Sequence, residues 1–117
     1  MNRSDFIRIS LAVAPLLLPS SWAYAAGQQT GAILDLRVSS PTLANPTHIQ
    51  IDGTYQNRPA CAISGFWAID SDTATGKSFL ATIMLAKATG KPITFAGSGT
   101  CSLRSDMETI VQMQVVQ

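Results

Sequence analysis

The sequence predicts a mainly β domain built around one helix, in the order β-β-β-α-β-β. Three observations lead to that order. The stretch from Gly65 to Ala96 reads as strand, acidic turn, helix, glycine stop and strand. The segments on either side alternate apolar and polar residues over short runs, which is the period of a half-buried strand. The exported part of the chain is only about 90 residues, enough for one domain and no more.

Residues 1–25 are expected to be a secretory signal peptide. Arg3 and Arg8 form a basic start, Ile9 to Leu18 an apolar centre, and Ala23-Tyr24-Ala25 an A-x-A cleavage site, so that Ala26 begins the mature chain. Pro15, Pro19, Ser20 and Ser21 interrupt the apolar run. It falls short of the roughly 20 residues that a bilayer span requires, and no membrane span is expected after processing. The domain is residues 26–117, and its destination is the periplasm or the exterior. Cys61 and Cys101, both in the exported part, are expected to pair in that oxidising compartment. Closing a loop of about 40 residues corresponds to about 4 kcal/mol on the chain-entropy account.

Taken in order, residues 26–30 form a polar, frayed start. In the first strand, Ile33 to Val38, Leu34, Leu36 and Val38 point inward. Ser39-Ser40-Pro41 and Asn45-Pro46 mark a loop. His48 to Asp52 is the second strand, with Ile49 and Ile51 inward and His48 on the surface. Gly53 to Pro59 is a polar loop. Cys61 to Ile69 is the third strand, apolar on both parities, with a bend at Gly65. The helix runs from about Gly76 to Thr89. Asp72, Thr73 and Thr75 are its cap candidates, and Gly90 followed by Pro92 is its stop. Phe79, Leu80, Ile83 and Met84 form one stripe, and Ala81, Leu85 and Ala88 carry it round the back. A helix this apolar is expected to be buried on more than one side. Ile93 to Ala96 is the fourth strand. Thr109 to Val116 is the fifth, with Val111, Met113 and Val115 inward. One helix between the third and fourth of five strands is the topology of an OB-fold, a Greek-key barrel.

Composition excludes some functions. The formal net charge is +1, with eight Lys or Arg against seven Asp or Glu. Nucleic acid is therefore not an expected partner, since phosphate neutralisation needs a Lys/Arg-rich face. Gly76-Lys77-Ser78 resembles the end of a P-loop, but Ser71 stands where the motif needs glycine, so it reads as a helix start. Asp70-Ser71-Asp72 lacks the alternating oxygen ligands of a calcium loop, because Ala74 breaks the run, and it reads as helix capping. A lone His48 and a committed Cys pair build neither a zinc site nor a catalytic triad. Gly97-Ser98-Gly99 opens no helix. No catalytic residue, metal or cofactor is expected. Trp67 has core parity. The residues that suit a ligand are Gln50, Tyr55, Asn57 and Arg58, which place an aromatic face beside amide and guanidinium donors, as a sugar ring requires.

Asn57-Arg58-Pro59-Ala60-Cys61, the helix Ser78 to Lys87 and the turn Thr89-Gly90-Lys91-Pro92-Ile93 resemble the B subunit of subtilase cytotoxin and related small exported bacterial proteins. The likeness covers roughly the second half of the chain. It implies an OB-fold, ring-shaped self-association, recognition of surface glycans and an enzymatic A subunit as partner. No sugar-contacting residue of that family finds a matching position here, so none is carried over. Two readings follow: a non-catalytic glycan- or protein-binding module that forms a homo-oligomer, or a stand-alone periplasmic structural or accessory protein without a small ligand. Exported material is expected to begin at Ala26. Amino-terminal sequencing checks this, and a membrane-bound product that keeps Met1 to Ala25 would refute it.

Overall fold

The computed structural model describes residues 26–39 and 45–117; the expected signal peptide and residues 40–44 of the first loop lie outside the described residues. Six strands and one helix follow in the order β1 (Gln28–Gly31), β2 (Ile33–Arg37), β3 (Thr47–Ile51), β4 (Trp67–Ile69), α1 (Ala74–Thr89), β5 (Ile93–Gly97) and β6 (Glu108–Val115). They form one mixed sheet in the spatial order β1-β5-β6-β4-β3-β2. The β4–β6 pair is parallel and the others are antiparallel. The two outermost strands, β1 and β2, are consecutive in the chain with only Ala32 between them. No ladder joins them. Ile49, Ile51, Trp67, Ile69, Ile93 and Phe95 dominate the core.

β1 replaces the frayed start that the sequence suggests. Its one buried residue is Gln29, so apolar alternation cannot reveal it. Gln29 Nε2 donates to the carbonyls of Ile51, Asp52 and Gly53, and its Oε1 accepts from Trp67 Nε1 at 2.8 Å. Buried polar side chains are generally hydrogen-bonded in this way.

Two bulges alter the expected facing of side chains. In β2, Ile33 pairs with Ile51 and Asp35 with Gln50, so Leu34 is the extra residue. In β6, Gly97 pairs with Ile110 and Ala96 with Gln112, so Val111 is the extra residue. One inserted residue reverses the parity beyond it. Leu34 and Val111 are consequently exposed rather than inward, and Val38, just past the end of β2, is exposed as well. Leu36, Met113 and Val115 still pack against the core.

The expected third strand shrinks to Trp67–Ile69. Cys61 to Phe66 form turns instead, with Gly65 at φ 78° and Ile63 78% exposed. Ser64 ties this segment down through Oγ, which donates to the Asp106 carbonyl at 2.8 Å. The Cys61–Cys101 disulfide is present, with Cα atoms 6.2 Å apart, and joins this turn to the β5–β6 link. His48 also departs from expectation. It is buried, its ring edge-on to Phe66 at 5.1 Å and its Nδ1 2.8 Å from the Pro46 carbonyl oxygen.

α1 begins two residues before the expected start. Thr73 is the cap, and its Oγ1 accepts from the Gly76 amide at 2.9 Å. Gly76 is needed because a Cβ there would run into the Asp70 carbonyl. Gly90 closes the helix at φ 69°. Gly76, Ile83 and Ala86 are buried, and Phe79 and Leu80 partly so. Met84 and Leu85 are each 57% exposed, so one face is covered rather than several. The sheet meets α1 along a single stripe. Ile83→Asp is expected to cost more than about 4 kcal/mol, because it strands a charge among apolar atoms. Met84→Asp is expected to cost under about 1 kcal/mol. Denaturant titration of both variants checks the contrast; equal losses would mean that both faces are covered.

Candidate functional site

The most constrained polar group is Glu108, the first residue of β6, whose side chain is fully buried. Its Oε2 accepts from the amides of Gly27 at 2.9 Å and Gly99 at 2.8 Å. Its Oε1 accepts from the Tyr55 hydroxyl at 2.7 Å. Three segments remote in sequence thus meet on one carboxylate: the residue before β1, the β5–β6 link and the loop after β3. A Cβ on Gly27 or Gly97 would overlap the Glu108 side chain. Glycine at those positions makes room for the acid. Among the described residues the ion pairs are Arg37–Asp35 and Arg104–Asp106, so Glu108 depends on neutral donors.

Tyr55 extends this cluster outward. Its ring stacks on Trp67, with centroids 4.6 Å apart and planes at 11°, while the Arg58 guanidinium lies over it at 4.7 Å. Trp67 in turn meets Phe95 edge-on at 5.7 Å. The order from core to solvent is therefore Phe95, Trp67, Tyr55, Arg58. Guanidinium over an aromatic face is favourable and holds Arg58 in place. The loop is pinned again by the Gln28–Gln56 bridge, whose two backbone hydrogen bonds measure 2.9 and 2.8 Å. Asn57 follows at φ 52°, a left-handed conformation that asparagine tolerates.

Of the four residues that the sequence offers for ligand contact, Tyr55, Asn57 and Arg58 lie together on this loop. Tyr55 has both ring faces and its hydroxyl occupied. Asn57 and Arg58 are exposed. Gln50 stands on β3, paired with Asp35 across the β2–β3 ladder, and is half-buried. Glu108 has no sequence signal: it is one acid next to Thr109 at the start of an ordinary alternating strand.

Elsewhere, a cleft of about 320 Å³ opens beside Thr47, Ile69, Asp70, Ser71 and Leu103. Asp70, one of its acids, helps to shape the turn before the helix. Asp70 Oδ1 accepts from the Asp72 amide at 3.0 Å, and the Asp70 carbonyl accepts from Thr73 Oγ1 at 2.9 Å. Among the described residues, no group of three or more His, Cys, Asp or Glu is placed to hold a metal ion, and no helix is long and apolar enough to cross a membrane. Neither protein-family models, nor curated proteins, nor solved structures yield a match to the chain. The likeness to the subtilase cytotoxin B-subunit family rests on the three motifs quoted above alone.

The Tyr55 phenol is held above the ordinary tyrosine range. Burial is the first cause, then its hydrogen bond to Glu108, then the Glu108 charge, with Arg58 opposing. The folded state thus favours the protonated phenol. That stabilisation is complete below the ordinary value of about 10 and is lost as pH rises above it. In a chain that begins at Ala26, Tyr55 is the only tyrosine, since the other is Tyr24. Ultraviolet titration of that chain is expected to show no phenolate while the fold persists, and phenolate together with unfolding. An ordinary reversible titration near pH ~10 in the folded protein would refute the buried hydrogen bond. Tyr55→Phe is expected to cost about 1–3 kcal/mol at neutral pH, because it removes a donor from a buried acceptor.

Proposed function

We propose that this chain is an exported, non-catalytic binding module on an OB-type Greek-key barrel, similar in role to the glycan-binding B subunit of an AB5-type toxin. The observation that carries the reading is the loop after β3. It is held rigidly from beneath, through Tyr55 on Trp67 and Glu108, and presents Asn57 and the outer plane of Arg58 to solvent. A preformed loop with amide and guanidinium donors spends little conformational entropy on binding a polar ligand. Gln50 belongs to the proposed contact set as a flanking amide and Tyr55 as its support.

The barrel reading is supported by chain connectivity. The stretch 28–37 pairs with β5 through its first half and with β3 through its second, about the single residue Ala32. The amide of Asp52, just past the end of β3, donates to the Ala32 carbonyl at 3.0 Å. One strand shared by both ends of a sheet is how a small barrel closes. The parallel β4–β6 pair and the helix between β4 and β5 fit the same topology.

The non-catalytic reading is supported by the state of the acids. A general acid or base must come within reach of a substrate proton. Glu108 is sealed by its three donors, and Asp70 Oδ1 accepts from the Asp72 amide in the turn before α1. Self-association is favoured by Met84 and Leu85, which leave part of α1 uncovered in one copy. The compartment is the periplasm or the exterior, which suits the Cys61–Cys101 bridge.

The test is a glycan array with light scattering on the chain from Ala26. Binding of surface glycans by an oligomer is the expected result, with binding lost in Arg58→Ala. A strict monomer with a blank array would favour the accessory-protein reading, in which neither a glycan nor an A subunit is bound.

A further inference from the structure

We propose that the outer face of the β1–β5–β6 ladder is a binding site for an uncharged saccharide. This rests on the binding-module reading and names a ligand class and a second location for it.

Residues paired directly across a ladder point to the same side of the sheet. Gln28 pairs with Ala96, and Ala96 with Gln112. Gln56 pairs with Gln28 through the isolated bridge, which adds a fourth member to that row. The row therefore reads Gln56, Gln28, Ala96, Gln112. The next row is Thr30, Thr94, Gln114. Inward neighbours confirm the side: Gln29, Ile93 and Phe95 are buried, while Gln28, Thr30, Gln56, Gln112 and Gln114 are exposed.

Neither row contains a charged residue. Charged side chains are a common means of keeping an edge strand such as β1 from pairing with another chain, and β1 has none. Here the side chains of the two rows are amides and hydroxyls, with Ala96 the one apolar member. Each glutamine amide offers two donors and one carbonyl acceptor on a single plane. That set matches vicinal hydroxyls, each of which both donates and accepts. The Thr30 and Thr94 hydroxyls are 2.8 Å apart and hydrogen-bond one another. Between them they retain one donor and free lone pairs at a fixed position.

Shape agrees with this chemistry. Ala96, the one small residue of its row, sits between the longer Gln28 and Gln112. A hollow of about 260 Å³ lies over it, bounded by those glutamines, Thr94 and Gln114. A second hollow of about 180 Å³ lies on the other side of Gln28, against Thr54 and Gln56. Both are smaller than the ~300 Å³ at which sites for drug-sized molecules begin. Adjacent strands are about 4.8 Å apart, so Gln28 and Gln112 stand about 10 Å apart across the face. Two hollows on either side of one glutamine fit neighbouring rings of an oligosaccharide.

Charge selects among ligands. A phosphate, sulfate or carboxylated sugar would lose water without gaining a cation on this face, which is unfavourable. An apolar partner would bury amides without partners, which is also unfavourable. A neutral saccharide meets neither penalty. An acidic sugar would be directed instead to Arg58 on the loop.

The experiment is amide NMR of the ¹⁵N-labelled chain from Ala26, titrated to millimolar concentration with cellohexaose, maltohexaose and chitohexaose, and with sialyllactose as the acidic probe. At least one neutral oligosaccharide is expected to shift the amides of β1, β5 and β6. Gln112→Ala should weaken that binding about tenfold, corresponding to ~1.4 kcal/mol. Ala96→Trp should abolish it by filling the hollow, with an unchanged unfolding midpoint as the control for folding. If the neutral sugars shift only residues 53–59, the strand-face site is refuted and the loop reading stands. If only sialyllactose binds, the uncharged class is refuted and the binding-module reading again stands. If these probes and the glycan array are both blank, both proposals fall.

Discussion

The interaction on which the rest depends is the buried carboxylate of Glu108. A carboxylate out of water must be fully hydrogen-bonded or it destabilises the fold. Here the donors are the amides of Gly27 and Gly99 and the hydroxyl of Tyr55, and no one of them is local to another. Satisfying one acid therefore fixes the entry to β1, the β5–β6 link and the loop after β3 at once. Buried polar groups of this kind specify one arrangement, because any other leaves the charge without partners. Gly97 belongs to the same design, since any side chain there would occupy the place of the acid.

The Cys61–Cys101 bridge acts on the same region by a different route. It joins the turn before β4 to the link that also contains Gly99. Cross-linking across 40 residues lowers the entropy of the unfolded chain by the equivalent of about 4 kcal/mol. Glu108 adds direction to that constraint, because the disulfide brings the two segments together and the carboxylate sets how they face. For a domain of this size, whose core is one sheet and one stripe of helix, such help is expected.

What was legible in the sequence was whatever repeats with a period. The helix, its glycine stop, β3, β5 and the disulfide all follow from spacing or from cysteine arithmetic. What was not legible depended on partners remote in sequence. β1 reads as a polar tail because its inward residue is Gln29, which becomes satisfied only once Trp67 and the end of β3 are in place. His48 reads as a surface residue by parity and is buried against Phe66. Leu34 and Val111 read as core and are exposed, because neither bulge has a mark in the sequence; Val38 is exposed because it lies past the end of β2. Tyr55 and Arg58 were legible as a pair. Their support by Glu108 was not, since a single acid on a strand looks the same whether it faces water or the core.

The β6 bulge shows why such a feature can persist. Before it, the even-numbered residues Glu108 and Ile110 face the core; after it, the even-numbered Gln112 and Gln114 face solvent. Without the extra residue, either Glu108 would be turned out of its cradle or the two glutamines would be buried without partners. One inserted residue lets a single strand anchor the interior at one end and display amides at the other. The cost is a single exposed valine. Val111 away from any packed face loses a contribution of about 1.5–3 kcal/mol that burial would have given. Losing a donor to the buried carboxylate would cost a comparable amount, and burying two unpaired amides would cost more. The bulge is thus the less costly of the ways to join this core to this surface. It also couples the two, because the pairing of Ala96 with Gln112 sits immediately beside the Gly97 position that houses Glu108.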